Sequence, residues 1–483
     1  MASIPRSRSQ SRLPRWAVLL LVALVARAVT LGNPILQVDE QFYFVTAHAM
    51  HGGALPYVDI WDRKPIGLFL LYLPAAALGW PDGIIVYQIF ALAAAVGTAF
   101  LISVLAERAG WRRGALAAAI LYILWLNFAE GQGGQSPVFY NLPVVGAVAM
   151  LAGGATRPRA LAAMLLLGLA IQIKYSVVFE GAALGCWVLW QRRRDGALAV
   201  AGLAAAMIAL ALAPTAAAWL WYARAGQSEA FLYANFLSIL ARSRDPIAEQ
   251  AGNFAFVAVI LAPLLVLAWL GRRGGSAVAG LLHLWLLAAL GGLFAFGGWY
   301  DHYALPVIAA ACACAAGFFA GDRRTPRATA IFLVALFIGG QGILLFKRHE
   351  RGSAAQFAAI ADAVGTGPGC LLVYSGPTML YPATGRCRTS HLVFPSHFSR
   401  SRERGAVGVD QAAALAAALA TRPERIVADT GYRGERPAIR RQLHAALGRD
   451  YAALGAFALG SKTLIVYAPA GSADLARRRS TSS

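Results

Sequence analysis

Apolar stretches recur along this chain at lengths suited to a lipid bilayer. They cover 16–31, 84–106, 114–128, 137–152, 160–173, 176–190, 197–221, 253–270, 276–297, 303–320 and 328–346. A helix needs roughly 20 apolar residues to cross a hydrocarbon core roughly 30 Å thick. Eleven such runs predict an α-helical polytopic membrane protein. A further run, 66–80, is short and flanked by Arg63-Lys64-Pro65 and Trp80-Pro81-Asp82. It is expected to lie in, or dip into, the membrane interface.

The loops between the runs set the expected orientation. Arg6, Arg8, Arg12 and Arg15 precede the first run, and short basic loops follow at 107–113, 156–159, 191–195, 271–273 and 322–327. Cytoplasmic loops collect Lys and Arg. If all of these are cytoplasmic, an even number of crossings separates each consecutive pair, and that parity is what demotes 66–80. The N-terminus is then cytoplasmic, with 32–83, 129–136, a turn near Lys174, 222–252, 298–302 and everything after 346 outside the cell. A competing reading takes the basic arm, the first apolar run and Ala26-Arg27-Ala28 as a cleavable leader.

Beyond 346 the pattern changes. Cys370–Tyr374, Arg425–Asp429 and Leu464–Tyr467 read as short buried strands, and 410–420 and 436–447 as helices. This predicts a membrane domain, 1–346, carrying the outer loop 32–83, and an extracytoplasmic α/β domain, 347–483, whose last residues from Arg477 form a disordered tail. The 483 residues are 58% hydrophobic and 14% charged, with a net charge of +20. In a soluble protein such a charge would suggest nucleic acid. Here half of it lies in residues 347–483, which hold 19 Lys and Arg against 9 Asp and Glu. That placement suits a solvated surface, anionic head groups or phosphates rather than nucleic acid. Cys186, Cys312 and Cys314 fall in apolar runs as small packing residues. Cys370 and Cys387 fall in the outer domain, where a disulfide between them is expected.

One loop concentrates the chemistry. Asp39, Glu40, Tyr43, Tyr57, Asp59, Asp62, Arg63 and Lys64 lie between two apolar runs. If 38–50 is a helix ended by Gly52-Gly53, Asp39 and Tyr43 share a face and Asp39 sits at the helix N-terminus, which favours its ionised form. The plain alternative is that Asp39 and Glu40 only cap that helix. Asp62 and Arg63 read as a neighbouring ion pair, and Trp61, Trp80 and Trp299 as interface anchors. Two more outer loops add Glu130, followed by Gly131-Gln132-Gly133-Gly134-Gln135, and the aromatic and basic set Trp299-Tyr300-Asp301-His302-Tyr303. A carboxylate to deprotonate a hydroxyl, cations to hold a phosphate and aromatics to stack on sugar rings suit transfer of a sugar from a lipid phosphate.

The series Asp39-Glu40…Tyr43…Pro56-Tyr57…Asp62…Lys64-Pro65…Gly67 resembles the first outer loop of the GT-C superfamily. Within it, the likeness is to the protein O-mannosyltransferase and aminoarabinose transferase group (PMT-like). Arg27, Gly168–Lys174, His302–Pro306 and Tyr381–Arg386 look like further landmarks of that group. The resemblance implies a glycosyltransferase using a polyprenyl-phosphate-sugar donor, with a glycan, lipid or protein as acceptor and an extracytoplasmic active site; the Ala- and Arg-rich composition and compact loops suit the inner (plasma) membrane of a bacterium. By position, Asp39 would be the catalytic carboxylate, with Glu40 assisting and Glu130 a second acid. Tyr43, Tyr57, Lys64, His302 and Tyr303 would bind the donor. Lys64-Pro65-Ile66 departs from the group's frequent Lys-Pro-Pro, and Glu130 matches no motif. No metal ligand spacing is evident, although paired carboxylates can hold a divalent cation. A transporter or lipid flippase would instead show internal repeats, broken helices or mid-span charges. Arg27 is the nearest such charge, close enough to the outer end to snorkel. A non-catalytic assembly partner with the same fold is the third reading.

Overall fold

A computed structural model describes residues 13–272, 276–322 and 325–471. Arg6, Arg8, Arg12, Arg273, Arg323, Arg324 and the tail from Arg477 lie outside the described residues.

Every predicted apolar run is a helix. They are α1 (Arg15–Arg27), α4 (Asp82–Arg108), α5 (Ala115–Trp125), α6 (Ser136–Ala152), α7 (Arg157–Ile171), α8 (Val178–Gln191), α9 (Ala197–Arg224) and the helices Ile247–Leu270, Ala277–Phe296, Leu305–Phe319 and Pro326–Arg351. Between α1 and α4 stand α2 (Val38–His51) and α3 (Ile66–Ala76). Among the described residues six helices are long and apolar enough to cross a membrane, so the chain is a multi-pass membrane protein. At 1.5 Å per residue, the 11 residues of α3 cover only about 16 Å. Leu68, Phe69 and Tyr72 on one of its faces are buried.

Small residues let the helices approach closely. Leu305–Phe319, with the run Ala309-Ala310-Ala311-Cys312-Ala313-Cys314-Ala315-Ala316, is the buried centre of the bundle. It packs on α4, α5, Ile247–Leu270 and Ala277–Phe296. Without a hydrophobic drive between helices in lipid, such seams of Ala and Gly supply the contact area. Cys312 and Cys314 have this packing role, whereas Cys186 is exposed.

The two ends of the bundle carry different loops. Arg15 pairs with Glu107, Arg113 with Asp322 and Ser276 with the Ala109 carbonyl. The loop 107–113 therefore shares one end of the bundle with Ser276 and Asp322, as the charge parity requires. At the other end Arg27 donates to the Gly131 carbonyl (2.8 Å) and Asn33 to that of Gly352 (3.1 Å). The C-terminal domain sits there.

That domain holds a four-stranded sheet in the order β1 (Leu371–Val373), β2 (Arg425–Asp429), β4 (Lys462–Pro469), β3 (Tyr451–Leu459). β1 and β2 are parallel, while β4 is antiparallel to both of its neighbours. The helix Gln411–Ala420 lies in the crossover between the parallel pair. β3 was not expected from the sequence. Its Ala- and Gly-rich run has weak strand propensity and a bulge at Ala453/Gly455, and it is formed by hairpin pairing with β4. Cys370 and Cys387, 17 residues apart, are joined in a disulfide. Closing a loop of this size contributes about 3 kcal/mol. Reduction, or Cys370→Ser with Cys387→Ser, is expected to lower the domain's unfolding stability by about 2–4 kcal/mol. Denaturant unfolding followed with and without reductant measures this, and an unchanged midpoint would contradict it.

Candidate active site

α2 begins after Gln37, whose extended backbone precedes Asp39 and Glu40 in the first turn, and it ends at Gly52. The helix N-terminus favours acidic side chains there, but the two carboxylates have opposite surroundings. Asp39 keeps 23% of its side chain exposed. Glu40 is buried against the glycine loop 131–134 and Arg27. Burial pushes the Glu40 carboxyl up to about 8, despite the Gly134 amide and Arg27. Glu40 is therefore neutral at pH 7 and packs against the glycine loop. Burial also opposes charge on Asp39, but Lys64, helped by the Gln135 hydrogen bond, outweighs it and holds its carboxyl below the usual range.

The groups around Asp39 come from four loops. Gln135 Nε2 donates to Asp39 Oδ2 at 3.1 Å, Lys64 Nζ lies 3.8 Å from Oδ1 and His302 Nε2 lies 4.0 Å from Oδ2. Lys64 also stands 3.3 Å from Asp62 and 5.1 Å from the centre of the Tyr43 ring. Burial would lower the Lys64 ammonium, yet Asp62 and Asp39 outweigh it and keep it charged. Lys174 lies over the Tyr303 ring at 4.3 Å, and burial brings its ammonium down to about 8. Burial and Lys174 lower His302, which is neutral at pH 7. An ionised carboxylate, a charged lysine and a titratable second lysine thus meet at one end of the bundle.

Some expected residues have other roles. Tyr57 is not free to bind a donor. Its backbone φ is +72°, its side chain is buried among Tyr222 and Phe231, and its hydroxyl donates to the Lys64 carbonyl at 2.7 Å. It supports Lys64 from behind. Tyr43 is likewise buried and faces Lys64 with its ring. Glu130 is not a free acid, because Lys347 (2.7 Å) and Arg351 both bind it and hold its carboxyl low against burial. Lys347 also bridges to Asp301 at 3.0 Å. Glu130, Asp301 and His302 offer ligand atoms within 4.8 Å of one another, and Lys347 and Arg351 balance the two carboxylates. Asp62 and Arg63 do not pair with each other's side chains, since Asp62 turns to Lys64 and Arg63 to Glu403. Trp61, Trp80 and Trp299 pack on Tyr233, Phe357 and Phe254.

The sequence reading missed Gln135, Lys347, Arg351 and the part played by Lys174. The basic run after 346 carried a signal, because the expected topology puts it where the charge rule does not look for Lys and Arg. Lys347 pairs with Glu130 and Asp301, and Arg351 with Glu130.

The glycine loop needs its glycines. A Cβ on Gly133 would collide with the Glu40 carboxylate. Gly133→Ala is expected to cost about 1–3 kcal/mol through overpacking, read as a lower melting temperature of the purified protein; an unchanged value would show that Glu40 can move aside.

No protein-family model matches the sequence, and no curated protein matches it significantly. Solved structures do. ArnT from Cupriavidus metallidurans bound to undecaprenyl phosphate superposes with a TM-score of 0.65 at 15% identity, covering 94% of this chain and 98% of that one. The same protein in the apo state gives 0.66 at 16% identity, covering 95% and 98%. The Archaeoglobus fulgidus oligosaccharyltransferase in the apo form gives 0.51 at 12%, covering 87% and 70%. At these identities the likeness establishes the fold, across nearly the whole chain.

Proposed function

We propose that this chain, which has the GT-C fold, is a membrane glycosyltransferase. It would move a sugar from a polyprenyl-phosphate-linked donor to an acceptor hydroxyl at the extracytoplasmic end of the bundle. The observation that carries this reading is the partly exposed pair of Asp39 and Lys64, 3.8 Å apart, where the other carboxylates nearby are buried or paired. The undecaprenyl phosphate in the ArnT structure supports the donor class.

In this mechanism Asp39 takes the proton of the acceptor hydroxyl as the acceptor oxygen bonds to the anomeric carbon. The bond from that carbon to the donor phosphate oxygen breaks, and the lipid phosphate leaves with the electron pair. Lys64, backed by Lys174, balances the charge that grows on the phosphate, where a preorganised cation lowers the barrier. Gln135 orients Asp39 through its hydrogen bond. The acceptor is a lipid, glycan or protein. The N-terminus lies in the cytoplasm of a cell whose inner (plasma) membrane the chain spans eleven times, with residues 1–346 as catalytic domain and 347–483 outside.

Undecaprenyl phosphate is expected to raise the melting temperature of the purified protein, whereas undecaprenol is not. At a ligand concentration 100 times its Kd the stabilisation is about 2.7 kcal/mol. Equal effects of the phosphate and the alcohol would remove the case for a phosphate site.

A further inference from the structure

Residues 391–408 of the C-terminal domain reach back to the candidate site through two sets of side chains. The first centres on Glu403, which is 2% exposed. Arg63 Nη2 donates to its Oε2 at 2.7 Å and Arg242 Nε to its Oε1 at 2.9 Å. One carboxylate thus ties three segments together: the first loop, the stretch after α9, and the C-terminal domain. Burial would raise its carboxyl, but the two arginines outweigh that and keep it ionised. Beside it, the Trp61 amide donates to the His391 carbonyl at 2.8 Å, and the Tyr233 hydroxyl to that of Gly405 at 3.2 Å.

The second set runs through Asp245. Arg402 Nη1 donates to Asp245 Oδ2 at 2.7 Å, and the Tyr300 hydroxyl donates to the same oxygen at 2.7 Å. The Tyr300 ring lies nearly parallel to that of His302, with an interplanar angle of 12°, and His302 faces Asp39. Isolated surface ion pairs contribute little. These differ in burial, since leaving either carboxylate without its arginines would strand a charge away from water.

We propose that Glu403 is a positioning residue for the transfer reaction: by anchoring Arg63 it sets where Lys64 stands against Asp39, and so makes the C-terminal domain part of the catalytic unit. This rests on the function proposed above. A shift of about 1 Å in a catalytic group costs on the order of 100-fold in rate, so small movements of residues 61–65 matter.

The test compares full-length wild type with Glu403→Gln, which keeps the shape and removes the charge, and with Glu403→Asp. Amide hydrogen exchange and sugar-transfer kinetics are read on the same preparations. In Glu403→Gln, exchange over 55–66 is expected to rise about 10-fold, with α5 unchanged, and kcat to fall about 10- to 100-fold with KM nearly constant. Glu403→Asp should recover part of the kcat. Unchanged exchange over 55–66 overturns the proposal, and so does raised exchange with full kcat. If Glu403→Gln does not fold, Arg242→Gln removes one of the two arginines that hydrogen-bond to it and is read the same way. Should wild type transfer no sugar, the functional reading fails by itself. The effect of Glu403→Gln on undecaprenyl-phosphate stabilisation, lost or retained, then decides whether Glu403 positions the site.

Discussion

Asp39→Asn is expected to reduce sugar transfer by about 10²- to 10⁴-fold, the range that a general base contributes, while the protein folds and embeds normally. The amide is nearly isosteric, and its oxygen can still accept from Gln135. What it lacks is a place for the acceptor proton and the charge that faces Lys64 and His302. Asp39→Glu keeps the carboxylate but moves it by one methylene, so partial activity is expected. Glu40→Gln should behave differently, because a carboxyl pushed up to about 8 is already neutral at pH 7, and its loss as an acid changes little. Transfer rates of the three variants at matched protein amounts check this. Equal losses for Asp39→Asn and Glu40→Gln would mean that the helix terminus, rather than one base, is what matters.

Lys64→Met is expected to lower transfer by about 10²- to 10³-fold, the usual cost of losing one preorganised charge partner for the leaving group. Methionine preserves most of the stem over the Tyr43 ring, so the loss reports the ammonium. The substitution also leaves Asp62, which is 2% exposed, without its cation. Stranding a buried charge costs on the order of 3–5 kcal/mol, which can itself unfold the loop. Lys64→Met combined with Asp62→Asn removes both charges and relieves that penalty. The account predicts that the double variant regains stability but not activity. Recovery of transfer in the double variant would show that Lys64 serves only to neutralise Asp62. Lys64→Arg should retain part of the rate, since a planar guanidinium keeps the charge but not the compact geometry.

Much of the architecture was legible because bilayer thickness imposes a length on apolar runs. All eleven runs are helices, and three of the loops grouped by their arginines meet at one end, where Arg113 reaches Asp322 and Ser276 reaches Ala109. The loop 38–67 was legible as a site because charges beside a span need a reason. What the sequence hid was partner choice. Nothing local distinguishes Glu130, bound by two cations from the far end of the chain, from Asp39, which keeps solvent access. Tyr57 looks like a binding aromatic until the fold turns its hydroxyl onto the Lys64 backbone. Likewise, Arg63 and Glu403 are 340 positions apart, and only the packing of the C-terminal domain against the loop brings them together.

The most direct test of the central claim is transfer by the purified protein in proteoliposomes, supplied with radiolabelled polyprenyl-phosphate sugars and an acceptor-containing membrane extract. Wild type should form labelled product from at least one donor and release polyprenyl phosphate in equal amount, with Asp39→Asn at background. Product formation by Asp39→Asn at the wild-type rate would contradict the account.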